Sequence, residues 1–248
     1  MAKLNGDKRV RVDVVMPVYN EESDLEPSVT RLQQFLLDNV DYDWRIVVAD
    51  NASSDGTLEI AKGLAERFPG QVTYVHLDQK GRGRALRRAW TESDADIVSY
   101  MDVDLSTDLG ALRPLIDSLI DSEYDIAIGS RLKKGAQVQR GPKREFISRT
   151  YNLIIRLMFR NQFSDAQCGF KAATRRAVRE IVPLIQDQAW FFDSELLLLA
   201  ERMGLRIYEV PVTWADDPDS RVRIASTAWE DLKGLVRVRF SDAGKQRQ

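Results

Sequence analysis

The sequence predicts an α/β, Rossmann-like fold with a mainly parallel central sheet and amphipathic C-terminal helices. Two observations carry this reading. β-prone runs alternate with segments of helical spacing, the pattern of βαβ units. Each run also ends in polar residues, and in open parallel sheets ligands bind at the carboxyl ends of the strands. With 248 residues the chain is long enough to bury a full core. One domain is expected over residues 1–240, divided at about residue 130, with a loose tail at 241–248.

The first run, Val12 to Val18, is followed by Tyr19-Asn20-Glu21-Glu22 and then by Leu25, Val29, Leu32, Phe35 and Leu36 on one helical stripe. Trp44 to Ala49 reads as a second strand, closing on Asp50-Asn51-Ala52-Ser53-Ser54-Asp55-Gly56-Thr57 before a helix over Leu58 to Phe68. Asp50 and Asp55 read either as turn and cap residues or as ligands. Val72 to Leu77 is a third strand, leading through Lys80-Gly81-Arg82-Gly83-Arg84 into a helix that runs past Trp90. That loop is either a plain strand-to-helix turn or a close backbone approach to a phosphate. A fourth strand ends near Met101, a helix is expected near Leu109 to Ser122, and Asp125 to Gly129 is the fifth strand.

The fourth strand leads into YMDVDLSTD, residues 100–108. On an extended chain Asp102 and Asp104 share a face, making a pair of hard oxygen ligands suited to a divalent ion that holds a diphosphate. A bare D-x-D is more often a polar loop exit, so the neighbouring strand ends decide its weight.

Composition excludes some classes. Lys and Arg number 36 against 38 Asp and Glu, a net charge of −2, which gives no global excess for nucleic-acid binding. The one cysteine, Cys168, has no internal disulfide partner and reads as a small buried side chain, and the N-terminus has no apolar signal core. A reducing cytoplasm is expected. No run approaches the roughly 18 apolar residues of a membrane span. Membrane contact is therefore expected to be peripheral, at the cytoplasmic face. His76, the single histidine, reads as structural.

Taken together, VVMPVYNEE, VVADNASSDGT, KGRGRALR, MDVDLST and IAIGSR resemble, in order, the motifs of inverting family 2 glycosyltransferases of the GT-A fold. DAQCGFK, FDSEL and VPVTWADDPDSRV resemble the polyprenyl-phosphate branch of that family, with its dolichyl-phosphate glucosyltransferases and mannose synthases. The resemblance covers roughly Val12 to Val222. It implies a nucleotide-sugar half at 1–130 and an acceptor and membrane-facing half at 131–240. Pro17, Tyr19, Glu21 and Asp50 would meet the base and ribose, with Lys80 and Arg84 near the base or diphosphate. Asp102 and Asp104 would hold Mg²⁺ or Mn²⁺, and Arg221 would be a further cation near the phosphates. Two departures stand out: Ser106 replaces the glutamine usual in mannose synthases, and Asp50-Asn51 replaces a common aspartate pair. Ser106 agrees with the glucosyl branch, so UDP-glucose is the favoured donor and GDP-mannose the next.

Arg131 to Arg160 carries nine basic residues and one acid, Glu145. Phe146, Leu153, Leu157 and other apolar residues interleave with Arg149, Arg156 and Arg160, so the stretch reads as a solvated face or as a helix lying in the headgroup layer. Arg131, Arg144, Ser148 and Asn152 match a pattern of the lipid-phosphate synthases, and the last three fall on one helical face. By that resemblance they form the acceptor-phosphate site, to which Gln167 and Asp193 also belong; Asp193 and Glu195 would meet sugar hydroxyls, and Asp165 with Gln167 would shape the pocket under the donor. Val222 to Phe240 reads equally as core or as a membrane-docking helix. Trp190-Phe191-Phe192 reads as buried aromatics or as the wall of a lipid groove. The implied partners are a nucleotide sugar, a polyprenyl phosphate, the membrane surface and a possible membrane partner protein. A soluble transferase with a hydroxyl acceptor and a non-catalytic nucleotide-sugar-binding protein stay open as alternatives.

Overall fold

The computed structural model describes residues 9–120, 124–215 and 224–244, excluding the side chains of 224–226. Strands β1 (Arg11–Val18), β2 (Asp43–Asn51), β3 (Val72–Leu77) and β4 (Ile97–Met101) alternate with helices α1 (Leu25–Asn39), α2 (Thr57–Arg67) and α3 (Arg82–Glu92). A 3-10 turn at Leu109–Ala111 leads into α4 (Leu112–Ile120), then β5 (Ile126–Ser130), the short β6 (Gln137–Gln139) and α5 (Pro142–Phe159). The chain continues through β7 (Phe170–Thr174), α6 (Arg175–Ile181), α7 (Phe192–Arg202), β8 (Ile207–Pro211), β9 (Thr213–Ala215) and α8 (Ile224–Phe240).

Among the described residues the main sheet has seven strands, in the order β3-β2-β1-β4-β7-β5-β8. β7 runs antiparallel to both neighbours, and the other pairings in the sheet are parallel. The expected mainly parallel sheet is present. Its central strands are covered on both faces, which is why β4 and β5 are buried at every position and read as continuous apolar runs. Alternate residues feed two cores: Val14 and Met16 pack with α1, α2 and α4, while Val15 packs with α3 and the C-terminal helices. The α1 stripe of Leu25, Val29, Leu32 and Leu36 is buried as its spacing requires.

Of the two readings of α8, the structure shows the core one for its inner face and leaves an outer face exposed. Leu235 and Val238 enter the core, and Trp229, Val236 and Phe240 face outward. Phe191 and Phe192 are core residues, whereas Trp190 is exposed. The start of the expected loose tail is tied down: Arg202 donates to the carbonyls of Ser241 and Ala243, and 245–248 lie outside the described residues. No described helix is long and apolar enough to cross a membrane.

Candidate active site

The loops after β1, β2 and β4 lie side by side, and all three hold a non-glycine residue at positive φ: Asn20 at 55°, Ala52 at 59° and Leu105 at 50°. Such conformations are costly for L-residues and collect at functional sites. The first two loops are latched to one another. Asn20 N donates to Ser53 Oγ at 3.0 Å, Ser54 N to Asn20 Oδ1 at 2.8 Å, and Glu21 N to Thr57 Oγ1 at 2.8 Å. Asp55 accepts from Thr57 N and Oγ1, so it holds the start of α2 as a cap does.

At the centre of these loops Asp50 is fully buried, with Oδ2 2.6 Å from His76 Nδ1. Asn51, which stands in place of the second aspartate, accepts from Gly81 N at 2.6 Å and so anchors the glycine-containing loop. Gly81 must be glycine, because a Cβ there would sit 2.4 Å from the carbonyl oxygen of Gln188. Lys80 Nζ lies 3.9 Å from the centre of the Tyr19 ring, and its hydrogen bond lowers the Tyr19 hydroxyl pKa below the usual phenol value. Arg84 pairs with Gln79. Pro17, Tyr19, Glu21, Asp50 and Lys80 thus belong to the loops and strand ends on this edge of the sheet, and Arg84 to the first turn of α3.

Asp102 and Asp104 line one small cleft with Ser106, Gly169 and Trp214. They do not converge by strand pleating as expected. β4 ends at Met101, and a turn closed by Leu105 N on Asp102 O, 3.2 Å, brings both carboxylates to the cleft. Ser106 N donates to Asp104 Oδ1 at 2.9 Å. Gly169 makes room for the other carboxylate, since a Cβ there would lie 1.8 Å from Asp102 Oδ2. Hard oxygens of this kind suit Mg²⁺ or Mn²⁺. Among the described residues no third His, Cys, Asp or Glu joins them, so a bound ion would complete its shell with the diphosphate and water.

Beneath the cleft lies a charged cluster centred on Arg82. Its Nη2 is 2.7 Å from Asp102 Oδ1 and its Nη1 is 2.8 Å from Asp193 Oδ2. Asp193 also accepts from Tyr100 and lies 3.2 Å from Lys171 Nζ. Burial opposes its charge, yet Lys171 and Arg82 together hold its carboxyl below the usual range. Asp193 was expected on the acceptor surface; its burial among protein donors removes it from there. Sequence reasoning gave Arg82 no role beyond positive charge in its loop. The available signal was its place between Gly81 and Gly83 at the start of α3, and Gly83 packs close to Phe192, the residue before Asp193.

The expected acceptor residues also meet protein partners. Arg131 pairs with buried Asp165 through Nε and Nη2, at 2.8 and 3.0 Å, with its guanidinium 5.3 Å from the centre of the Trp214 ring. Asn152 donates to Ser148 O and accepts from Ala166 N, both at 2.9 Å, which makes it a clasp between α5 and the 165–168 loop. Gln167 donates to Asp231 Oδ2 at 2.8 Å. Ser148 is buried, its hydroxyl without a partner among the described residues, and Arg144, one turn before it, is half-buried. Arg221 lies outside the described residues. Glu195 accepts from Asp187 N and pairs with Arg237.

This arrangement agrees with what the chain is similar to. The family model of glycosyl transferase family 2 matches residues 13–182. The chain belongs to that family. Its relatives include glycosyltransferase AglD of Haloferax volcanii, 38% identical over 91% of this chain and 36% of AglD. A dolichyl-phosphate beta-glucosyltransferase of Trichomonas vaginalis is 31% identical over 85% of this chain and 66% of its own length. The chain thus spans about a third of the first relative and just under two thirds of the second. Glucosyl-3-phosphoglycerate synthase from Mycobacterium tuberculosis, crystallised with Mn²⁺ and UDP-glucose, superposes with a TM-score of 0.67 at 20% identity, covering 97% of this chain and 81% of that one. That likeness establishes the GT-A fold. Cys168 is buried as expected, and burial pushes its thiol up to about 12.

Proposed function

We propose that this glycosyltransferase moves a hexose, with inversion, from a nucleotide sugar to a polyprenyl phosphate, with UDP-glucose as the favoured donor. The observation that carries the reading is the neighbourhood of the Asp102/Asp104 cleft. It has hard oxygen ligands, a basic segment beside it, and flanking carboxylates that are buried and ion-paired. Asp165 and Asp193 are both held ionised in pairs below the surface, which leaves neither placed to deprotonate a hydroxyl. A phosphate monoester is already anionic near neutral pH and needs no such base. The dolichyl-phosphate glucosyltransferases among the relatives, and the UDP-glucose complex of a fold neighbour, support the same choice.

In this reading Pro17, Tyr19, Glu21 and Asp50 receive the nucleoside, while Lys80 and Arg84 lie toward the diphosphate. Asp102 and Asp104 hold the metal, and a bound Mg²⁺ or Mn²⁺ supplies positive charge to the leaving diphosphate. Arg82 and Asp193 act through Asp102 by fixing its orientation. Arg144 and the remaining edge of Arg131 direct the acceptor phosphate at the anomeric carbon. Its oxygen forms the new bond as the nucleoside diphosphate departs. Ser148 lies one turn after Arg144 on α5, while Asn152 and Gln167 hold the loop that carries Asp165. The membrane is met by one face formed from α5 and α8. Phe146, Leu153 and Leu157 stand out between Lys143, Arg149 and Arg156, and Trp229, Val236 and Phe240 stand out beside Lys233 and Arg239. Basic residues flanking outward aromatics suit an anionic headgroup layer.

The test is transfer of radiolabelled sugar from UDP-glucose, and separately from GDP-mannose, to a short polyprenyl phosphate, with Mg²⁺, with Mn²⁺ and with chelator. Metal-dependent label in the lipid phase is expected, preferentially from UDP-glucose, and Asp104→Asn should abolish it while the protein stays folded. Transfer that persists in chelator or in Asp104→Asn would refute the metal assignment. No lipid product from either donor would refute the proposed reaction.

A further inference from the structure

The chain treats the two edges of its main sheet differently. β8 is the outer strand at one end and β3 at the other. On β8, Asp125 N and Ile126 N bond Arg206 O, so the alternate residues Ile207 and Glu209 turn their backbone groups outward. Lys133 Nζ caps the Glu209 carbonyl at 2.8 Å, and Pro211 ends the strand. Lysine and proline are means by which proteins blunt an edge against further pairing. On β3, Ile46 N bonds Gln71 O at 2.8 Å, so Val72, Tyr74 and His76 turn outward. Val72 N closes on Phe68 O, but among the described residues no hydrogen bond reaches Val72 O or the backbone N and O of Tyr74 and His76. The strand, VTYVHL, has no proline, lysine, arginine or acid, and it pairs with β2 without a bulge.

The outward groups are spaced symmetrically about Tyr74, and that symmetry selects the occupant. We propose that β3 pairs antiparallel with β3 of a second copy of this chain, about a two-fold axis at Tyr74. In this register Tyr74 exchanges both its N–H···O bonds with Tyr74 of the second copy. Val72 O accepts from His76 N of the second copy, and the reverse bond follows by symmetry. The side chains agree with the pairing. Tyr74 is 37% exposed and lies near α2, where it helps to keep Lys62 protonated after the larger effect of Glu59. Leu58, Lys62 and Ala65 fall at i, i+4 and i+7 on α2 and are half-buried, so apolar surface continues from Tyr74 onto the helix. On the opposite face of β3, half-buried Thr73 meets Val75 of the second copy, a pair of β-branched side chains suited to packing across strands. An antiparallel pair has its two-fold along the sheet normal. Both copies therefore keep α5 and α8, which pack on one face of the sheet, on the same side, and the pairing leaves the proposed membrane face open. A six-residue strand and one helical stripe fall short of the roughly 20–30 residues a side of a standard interface, so the dimer belongs to the micromolar range.

The experiment is sedimentation velocity of the full chain from about 1 to about 100 µM, which should show a reversible monomer–dimer equilibrium. Tyr74→Lys places two like charges at the axis, and Tyr74→Pro removes the paired N–H groups. Each should weaken dimerisation by about tenfold or more. Both changes fall at an outward position of an edge strand, and circular dichroism checks that the fold is kept; where Tyr74→Pro fails to fold, Tyr74→Lys and cross-linking decide. Residues paired on such an axis have Cα atoms about 5.5 Å apart, within disulfide reach, so Tyr74→Cys should give a disulfide-linked dimer in a glutathione redox buffer. Asp78→Cys, which the pairing carries to opposite ends of the joined strands, should stay unlinked, as should the wild type, whose Cys168 is buried. A chain that is monomeric throughout overturns the proposal, as does a dimer that Tyr74→Lys leaves intact. Linkage through Asp78→Cys in place of Tyr74→Cys overturns it too, because it requires another register. None of these readouts depends on the proposed transfer reaction.

Discussion

Arg82→Lys isolates the proposed positioning of Asp102. The arginine is 9% exposed and spans two carboxylates, at 2.7 Å from Asp102 and 2.8 Å from Asp193. Lysine keeps the charge but has no planar fork with which to bridge both groups. Lys171 already lies 3.2 Å from Asp193, so a second ammonium brought there meets a like charge. One charge-assisted bond is lost, a cost of about 1.5–3 kcal/mol. At about 2–4 °C per kcal/mol for a chain of this size, the midpoint of thermal unfolding should fall by about 3–12 °C. If Asp102 is held by Arg82 in the transition state, kcat at saturating metal should fall by about 10–150-fold, the same energy read as rate. UDP binding without metal should be unchanged, because that contact does not involve Asp102. A double-mutant cycle with Asp102→Asn sharpens the test: the effect of Arg82→Lys on stability should shrink when its partner is already neutral. Arg82→Lys with wild-type kcat would refute the positioning role, and fully additive effects in the cycle would refute the coupling.

The proposed docking face and the buried acid of α8 give two more predictions. Phe240 is 79% and Trp229 61% exposed, and an aromatic side chain offers about 150–250 Å², so Phe240 alone has about 150 Å² to bury, about 4 kcal/mol on full insertion. Trp229→Ser with Phe240→Ser should lower co-sedimentation with anionic vesicles more than about tenfold and spare transfer to a water-soluble short-chain acceptor; undiminished co-sedimentation would remove this face from the membrane. Asp231 is raised to about 7, by burial first and then by Asp187 and Asp193, so the folded protein keeps a proton that the unfolded chain releases above about pH 3.9. Its contribution to stability is therefore present below about pH 4 and lost as pH rises to about 7. Asp231→Asn should flatten that part of the profile of urea midpoint against pH and gain about 2 kcal/mol at pH 8, and an unchanged profile would exclude Asp231 as its source.

The βαβ half of the fold was legible because its strands and helices differ in period, and because each strand exits into residues that cannot stay in a core. β7 was missed for a physical reason. Phe170–Thr174 is five residues long and contains Lys171, which reads as an exposed cation and is in fact buried, held by Cys168 O at 2.6 Å and by Asp193. A strand inserted antiparallel between β4 and β5 also leaves no local signature, since its pairing depends on residues about 40 to 75 positions away. At the site, residue types told which loops matter, but they did not tell which polar groups face solvent. Asn152 and Asp193 sit in motifs of the acceptor side, yet one clasps a loop and the other lies beneath Arg82. The D-x-D shows the same limit, because its two carboxylates are joined by a turn that the alternation rule does not describe.

The C-terminal helix links these parts. Through its inner face α8 presses Gly234 against the Phe191 ring, where a Cβ would lie 2.4 Å away, and it reaches the site by Asp231 on Gln167 and Arg237 on Glu195. Gln167 N donates to Asp165, which grips Arg131. A short chain of hydrogen bonds therefore runs from the helix that carries Trp229 and Phe240 to the arginine beside the cleft. In the proposed reaction the acceptor phosphate stays at headgroup level, because its isoprenoid tail is costly to withdraw from the bilayer. The protein must then bring the cleft to the lipid. A docking surface built on the helices that also pack behind Asp165 and Asp193 does this without a moving part. If α5 and α8 dock as proposed, their depth in the headgroup layer would fix the height of Arg131 and Asp102 above it.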